Sequence, residues 1–228
     1  MAPSGPEEHQ MFARQVHALA VGVSLLVVAF VIAVIVGVRP TSSVLQGIDD
    51  RWLRRMTAVR TPWLTSVSKV MSRVGGTTVT LPVRIAVVGV LAVRRRWLQL
   101  GAFVGATISS ELCIGPLKAL VDRPRPPGGL IATSATSFPS GHAVAGAVTA
   151  FGVVVVFMHA TPRRLLVIGL AAAFAGLMAL SRTYLAVHWL SDVVAGVCIG
   201  TGMALVWPAA LGLARDRHRR RTSVGTSR

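Results

Sequence analysis

The sequence predicts an all-α polytopic membrane protein, with six transmembrane helices and an interfacial helical segment between the first and second. Three observations predict it. Hydrophobic residues make up 53% of the 228-residue chain and charged residues only 14%, whereas soluble domains are about a quarter charged. Apolar runs recur at about the 20-residue length that spans a bilayer. The net charge of +16 is concentrated between those runs, where membrane topology accounts for it better than nucleic-acid binding does.

The runs are Ala18–Val38, Gly75–Val93, Trp97–Leu120, Ser140–His159, Leu165–Leu180 and Val187–Leu213. A segment in hydrocarbon must satisfy its own backbone polar groups, so each is expected to be helical. Ala18–Val38 is uncharged over 21 residues and no small-residue cleavage site clearly follows, so a retained anchor is expected rather than a cleaved signal peptide.

Orientation follows from the connections. Arg94–Arg96, Arg163 and Arg164, and the arginines from Arg215 to Arg221 fall on one side of a six-span arrangement, together with the N-terminus. The positive-inside rule makes that side cytoplasmic. Residues 39–74 run against it, carrying Arg39, Arg51, Arg54, Arg55, Arg60, Lys69 and Arg73 on the opposite side. Trp52, Leu53, Met56, Trp63, Leu64 and Val67 interleave with those charges, which suits one or two helices lying at headgroup depth. The expected organisation is a polar segment over 1–14, a membrane domain over 15–214 and a basic disordered cytoplasmic tail over 215–228. Cys113 and Cys198 lie within apolar runs and are expected to be small core residues, not a disulfide framework or zinc site.

Three stretches carry chemistry. Lys118 is followed seven positions on by Arg125 and then Pro126. Segment four opens with Pro139, Ser140, Gly141 and His142. The turn between segments five and six holds Ser181, Arg182, His188 and Asp192. The six-span arrangement brings all three to one membrane face. Lys118, Arg125 and Arg182 can neutralise a phosphate in transfer, the arginines as bidentate forks and the lysine as a point charge. Ser140 and Gly141 stand where a helix begins, so backbone N–H groups face outward and glycine permits close approach of an anion. His188 and Asp192, four apart, share a helix face. The carboxylate can hold one ring nitrogen as N–H and leave the other as a nucleophilic lone pair. His142, from another helix, is free to protonate a leaving oxygen.

Taken singly, these residues have ordinary readings: a boundary histidine, a headgroup-anchoring arginine, a structural hydrogen bond. Their joint occurrence on one face outweighs them. Metal ligation by two histidines and an aspartate needs further converging ligands, and the neighbours are cations. No cofactor is expected.

Lys118 with Arg125-Pro126, Pro139-Ser140-Gly141-His142, and Ser181-Arg182 with His188 and Asp192 resemble the signature of the type 2 phosphatidic acid phosphatase superfamily, the lipid phosphate phosphatases. Eleven positions agree in order and spacing. The six-helix layout and the segment Asp49–Gly76 also look like bacterial members. The resemblance implies His188 as nucleophile, Asp192 as its orienting carboxylate, and His142 as general acid and then as the group that helps water attack a phosphohistidine. Lys118, Arg125, Ser140, Gly141 and Arg182 would bind the phosphoryl group, and no metal is needed. Implied substrates are phosphatidate, phosphatidylglycerol phosphate and polyprenyl diphosphates of the undecaprenyl or decaprenyl class. The implied partners are the lipid substrate and membrane lipids, not nucleic acid. The implied setting is a bacterial inner membrane with the site facing outward.

Arg123-Pro124 duplicates the arginine-proline pair. The lysine spacing selects Arg125, leaving Arg123 to add positive potential. The stretch 127–138 is short and leaves little room for a headgroup-recognition insert. Arg84 and Glu111 fall within segments two and three, and intramembrane charges are paired or functional by default. A buried Arg84–Glu111 pair is expected. A lipid phosphotransferase and a non-catalytic anionic-lipid binder are the competing readings. The second needs only the cations, not His142, His188 and Asp192. A vanadate-dependent haloperoxidase shares the constellation but not the six spans.

Overall fold

The structure, a computed structural model, describes residues 6–38, 44–133, 136–158 and 163–225, with side chains for 10–38, 44–133, 136–158 and 163–218. Arg39 and His159 lie outside the described residues. The described residues form eight helices: α1 (Pro6–Val38), α2 (Val44–Ala58), α3 (Pro62–Val74), α4 (Thr77–Val93), α5 (Trp97–Val121), α6 (Gly141–Phe157), α7 (Arg164–Tyr184) and α8 (Leu190–Gly225).

Local chemistry sets the helix ends near the site. Thr61 caps α3, its hydroxyl accepting from Leu64 N, with Pro62 in the first turn, where a missing N–H costs nothing. Gly75 and Gly76 separate α3 from α4. Any side chain at Gly75 would collide with Met178 of α7. Asp122, left-handed at φ 42°, ends α5, its N–H returning to Lys118 O. Short polar residues tolerate that conformation, and it swings the chain so that Arg123 turns inward.

Among the described residues, four helical stretches are long and apolar enough to cross a bilayer: Gln10–Val38, Trp97–Val121, Arg164–Tyr184 and Leu190–His218. The α3–α4 pair, bent by 42°, is a fifth candidate. The remaining apolar helix, α6, has 17 residues, about 26 Å at 1.5 Å per residue, a little under the hydrocarbon thickness. Four to five spans are thus long and apolar enough to cross; of the six predicted, the second falls in α4 of the bent pair and the fourth in the shorter α6. Exposed apolar side chains such as Val27, Phe30, Leu165, Leu170 and Leu177 form the outward surface a membrane protein presents to lipid. This is an integral membrane protein.

α8 is the central element, packed most extensively against α1 and α6 and then α5. Glycines bring α8 and α6 together. A Cβ on Gly196 would stand 2.8 Å from Ser140 O, and one on Gly200 2.5 Å from Val144 O. The segment between the first two long spans forms two helices, α2 and α3. They lie over the α7–α8 turn, where Met56 and Leu64 pack on buried Tyr184, Leu185 and Val187. The Tyr184 hydroxyl accepts from Thr61 N at 2.9 Å.

Both terminal helices run past the apolar segments read from the sequence. α1 already begins at Pro6, and α8 continues through Gly225 into the stretch read as a disordered tail. Extending an existing helix needs no new nucleus, and arginine is a good helix former.

Candidate active site

The C-terminal end of α5, the loop after it, the start of α6, the α7–α8 turn and the start of α8 meet beneath α3. Lys118, half-buried, donates from Nζ to Thr136 O at 2.7 Å. Ser140 caps α6. Its N–H donates to Asp192 O at 3.1 Å, which joins the second signature stretch to the third. Gly141 opens the helix, and half-buried His142 follows beside the α3–α4 break, where a Cβ on Gly76 would lie 3.6 Å from His142 Nε2. Arg182 is buried and donates from Nη1 to Ser72 Oγ of α3. Arg125, Arg182 and His188 all lie close enough to act electrostatically on His142, as Arg125 and Asp192 do on Lys118. All eight residues singled out from the sequence thus fall in one region.

His188 is 4% exposed and sits in the turn outside the spanning helices. Its Nδ1 lies 2.7 Å from Ser137 O. A carbonyl oxygen can only accept, so Nδ1 carries the proton and Nε2 the lone pair. Nε2 is 3.4 Å from Arg125 Nη1, and the same Nη1 donates to Val187 O. Burial is the main cause of a ring pKa lowered to about 4. The Asp192 hydrogen bond and charge oppose the shift, and Arg182 and Arg125 add to it. The ring is neutral at pH 7, which leaves Nε2 able to attack an electrophile. Arg125, partly buried, has its own pKa lowered by desolvation, with Asp192 opposing.

Asp192 is fully buried. Oδ2 accepts from Trp189 N at 2.9 Å and lies 3.6 Å from His188 Nδ1. Oδ1 takes the Arg123 guanidinium at 2.6 Å. The carboxylate therefore faces the histidine, while the Ser137 carbonyl makes the shorter contact.

Arg123 corrects the sequence reading. It does not add loose positive potential beside Lys118, Arg125 and Arg182. It is 1% exposed and ion-paired to both Asp49 and Asp192. The turn at Asp122 alternates the two arginines, so Arg125 goes to the histidine and Arg123 to the carboxylates.

Lys118, Arg125 and Arg182 make this region positive. Two buried donors around it, Ser140 Oγ and Arg182 Nε, have no hydrogen-bond partner among the described residues. A buried unsatisfied polar group costs about 1–3 kcal/mol, so the arrangement favours an oxygen-rich anion. Among the described residues no three His, Cys, Asp or Glu side chains gather as a metal site.

Sequence reasoning missed Ser72, Ser137 and Asp49. Nothing marked Ser72 or Ser137, since neither contact is local in the chain. Asp49 did leave a trace: with Asp50 it is the only acid in an otherwise basic stretch from 39 to 74.

Helical spans with a buried histidine and a cluster of cations at one end of the bundle suit a membrane-embedded phosphatase. The chain belongs to the PAP2 superfamily, whose family model matches residues 99–215. It is 28% identical over 168 residues to phosphatidylglycerophosphatase B of Bacillus subtilis, covering 70% of this chain and 81% of that protein. It is 34% identical over 145 residues to decaprenylphosphoryl-5-phosphoribose phosphatase of Mycobacterium tuberculosis, covering 60% and 75%. The crystal structure of a transmembrane PAP2-type phosphatidylglycerolphosphate phosphatase from Bacillus subtilis superposes with a TM-score of 0.69 at 25% identity, over 86% of this chain and 96% of that one. Aquifex aeolicus LpxE shares the fold, with a TM-score of 0.55 at 24% identity over 68% and 90%.

Proposed function

We propose that this protein hydrolyses a lipid phosphate monoester or a polyprenyl diphosphate through a phosphohistidine on His188. The observation that carries the reading is the state of His188. Its ring is neutral, its Nδ1–H is committed to a carbonyl oxygen, and its Nε2 lone pair lies beside Arg125 among cations.

Nε2 attacks phosphorus in line, and the bond to the lipid oxygen breaks. His142 delivers the proton to that oxygen. Lys118, Arg125 and Arg182, with the α6 N-terminus at Ser140 and Gly141, neutralise the equatorial oxygens. Asp192 stabilises the ring as it becomes positive. His142 then takes a proton from water, whose oxygen attacks phosphorus. The N–P bond breaks, releasing inorganic phosphate and returning neutral His188. In this scheme the cations supply the charge stabilisation, without a metal.

The relatives act on phosphatidylglycerol phosphate and a decaprenylphosphoryl sugar phosphate, by their names. We place this chain's substrate in the same class of phosphorylated lipids, with phosphatidate, phosphatidylglycerol phosphate and undecaprenyl or decaprenyl diphosphate as candidates. The short 127–138 stretch suits a site that reads phosphate more than headgroup. We assign α1, α4, α5, α6, α7 and α8 as six spans of a bacterial inner membrane. Both termini are then cytoplasmic and the site faces outward, with α2 and α3 at the interface.

The test is phosphate release by purified protein in excess chelator, across those substrates, beside a His188→Ala variant. Release that survives the chelator and disappears in the variant supports the reading. Release that the variant retains, or that the chelator abolishes, refutes it.

A further inference from the structure

The most heavily bonded side chain near the site is one the mechanism above does not use. Arg123 is among the largest fully buried side chains. Its Nη1 donates to Asp192 Oδ1 at 2.6 Å and Ser191 Oγ at 2.7 Å. Its Nη2 donates to Asp49 Oδ2 and Gln46 Oε1, both at 2.7 Å. The guanidinium also lies 5.1 Å from the centre of the Trp189 ring. Asp49, 1% exposed, accepts from Ser191 N at 2.8 Å through Oδ1 and from Ser191 Oγ at 2.6 Å through Oδ2.

One cation is therefore shared by two buried carboxylates, and the second comes from α2, outside the spanning helices. Burying three charges is costly even when they are paired, and apolar residues would hold α2 against the bundle as well. A scaffold role for the Arg123–Asp49 pair needs no third member. The third member here is the carboxylate that faces the nucleophile. Oδ1 committed to Arg123 and Oδ2 accepting from Trp189 N together fix the rotation of the Asp192 carboxylate, with Oδ2 facing His188.

We propose that Asp49 and Arg123 are positioning residues for the reaction, with Asp49 on α2 holding Arg123 so that Asp192 presents Oδ2 to His188. Without Asp49, Arg123 loses its counterweight, swings toward Asp192 and draws that carboxylate from the ring. The proposal rests on the phosphohistidine reading.

The test uses full-length protein in detergent with radiolabelled phosphatidate, measuring kcat, KM and the burst of acid-labile phosphoenzyme. Asp49→Asn is expected to lower kcat and the burst rate about 10- to 100-fold, the cost of a misplacement near 1 Å. KM should stay within about threefold, since Lys118, Arg125 and Arg182 are untouched. Asp49→Glu should recover part of the loss. Arg54→Gln, an exposed charge change on the same helix, should behave as wild type. Wild-type kcat and burst rate in Asp49→Asn would overturn the proposal, as would a loss fully accounted for by a smaller burst amplitude, the mark of a structural role alone. If Asp49→Asn does not fold, Ser191→Ala removes the hydroxyl between the two charges. A fall in kcat of about threefold or more at constant KM then supports the proposal, and an unchanged kcat overturns it. Wild-type protein that forms no phosphoenzyme while His188→Ala stays active overturns the underlying histidine reading, an outcome distinct from the others.

Discussion

Nδ1 of His188 lies 2.7 Å from the carbonyl oxygen of Ser137 and 3.6 Å from Asp192 Oδ2. The ring's tautomer is thus held by a backbone carbonyl, with the carboxylate behind it. In serine-protease triads, loss of the carboxylate costs about 10⁴-fold because the tautomer is lost. Here Asp192→Asn should cost about 10²–10³-fold in kcat, short of His188→Ala, because Ser137 still holds the proton on Nδ1. Single-turnover kinetics on both variants checks the order. Equal losses would remove the carbonyl from the account.

The folded pKa of His188, about 4, lies below the ordinary value near 6.5. The fold favours the neutral ring, so the sign is opposite to that of a histidine that gains an anionic partner. This contribution to stability is complete above pH 6.5. It falls through the window from 6.5 to 4 and is flat below, with a loss of up to about 3 kcal/mol. A ¹⁵N titration of labelled histidine, with His188→Ala identifying the resonance, should show no protonation of this ring above about pH 5.

Arg84 and Glu111 form the expected pair, at 2.8 Å, but with unequal burial: 11% of the Arg84 side chain is exposed and 44% of Glu111. Arg84 also donates to Thr149 Oγ1 at 2.9 Å and Ala145 O at 3.3 Å. Comparable losses with rescue by charge swap, the outcome a simple pair implies, are therefore not expected. Arg84→Leu should cost about 2 kcal/mol and Glu111→Gln less, because the amide oxygen can still accept from Arg84. A swap should not restore stability, because glutamate cannot donate to Ala145 O. Unfolding in a fixed detergent measures all three.

The α6–α8 contact carries the next prediction. Gly196→Ala would set a methyl 2.8 Å from Ser140 O and 2.9 Å from Ala143 Cβ, with no flexible side chain to yield. Overpacking costs about 1–3 kcal/mol. The forced separation moves Ser140 and His142 away from His188, so kcat should fall more than about 10-fold. Gly169→Ala, with nothing within 4 Å of the added carbon, should leave kcat unchanged.

Much of the site is legible in the sequence, for an identifiable reason. Lys118, Arg125, Ser140, Gly141, His142, Arg182, His188 and Asp192 lie at helix ends or in short turns, and helix ends recur where apolar runs stop. The order of those runs was enough to bring three stretches to one membrane face. Arg84 and Glu111 were readable on the same basis, since a charge inside an apolar run has to find a partner.

What the sequence determined by itself is the all-helical membrane class, the residue content of the three signature stretches and their common face, because spacing and hydropathy act locally along the chain. Only the tertiary structure decided which carboxylates Arg123 serves, that Ser137 holds the His188 proton, that Ser72 meets Arg182, and that α3 and α4 bend at Gly75-Gly76 against Met178. Each of these is a contact across dozens of residues, set by how closely α8, α6 and α7 approach and by the turn at Asp122. No periodicity in the chain encodes that approach.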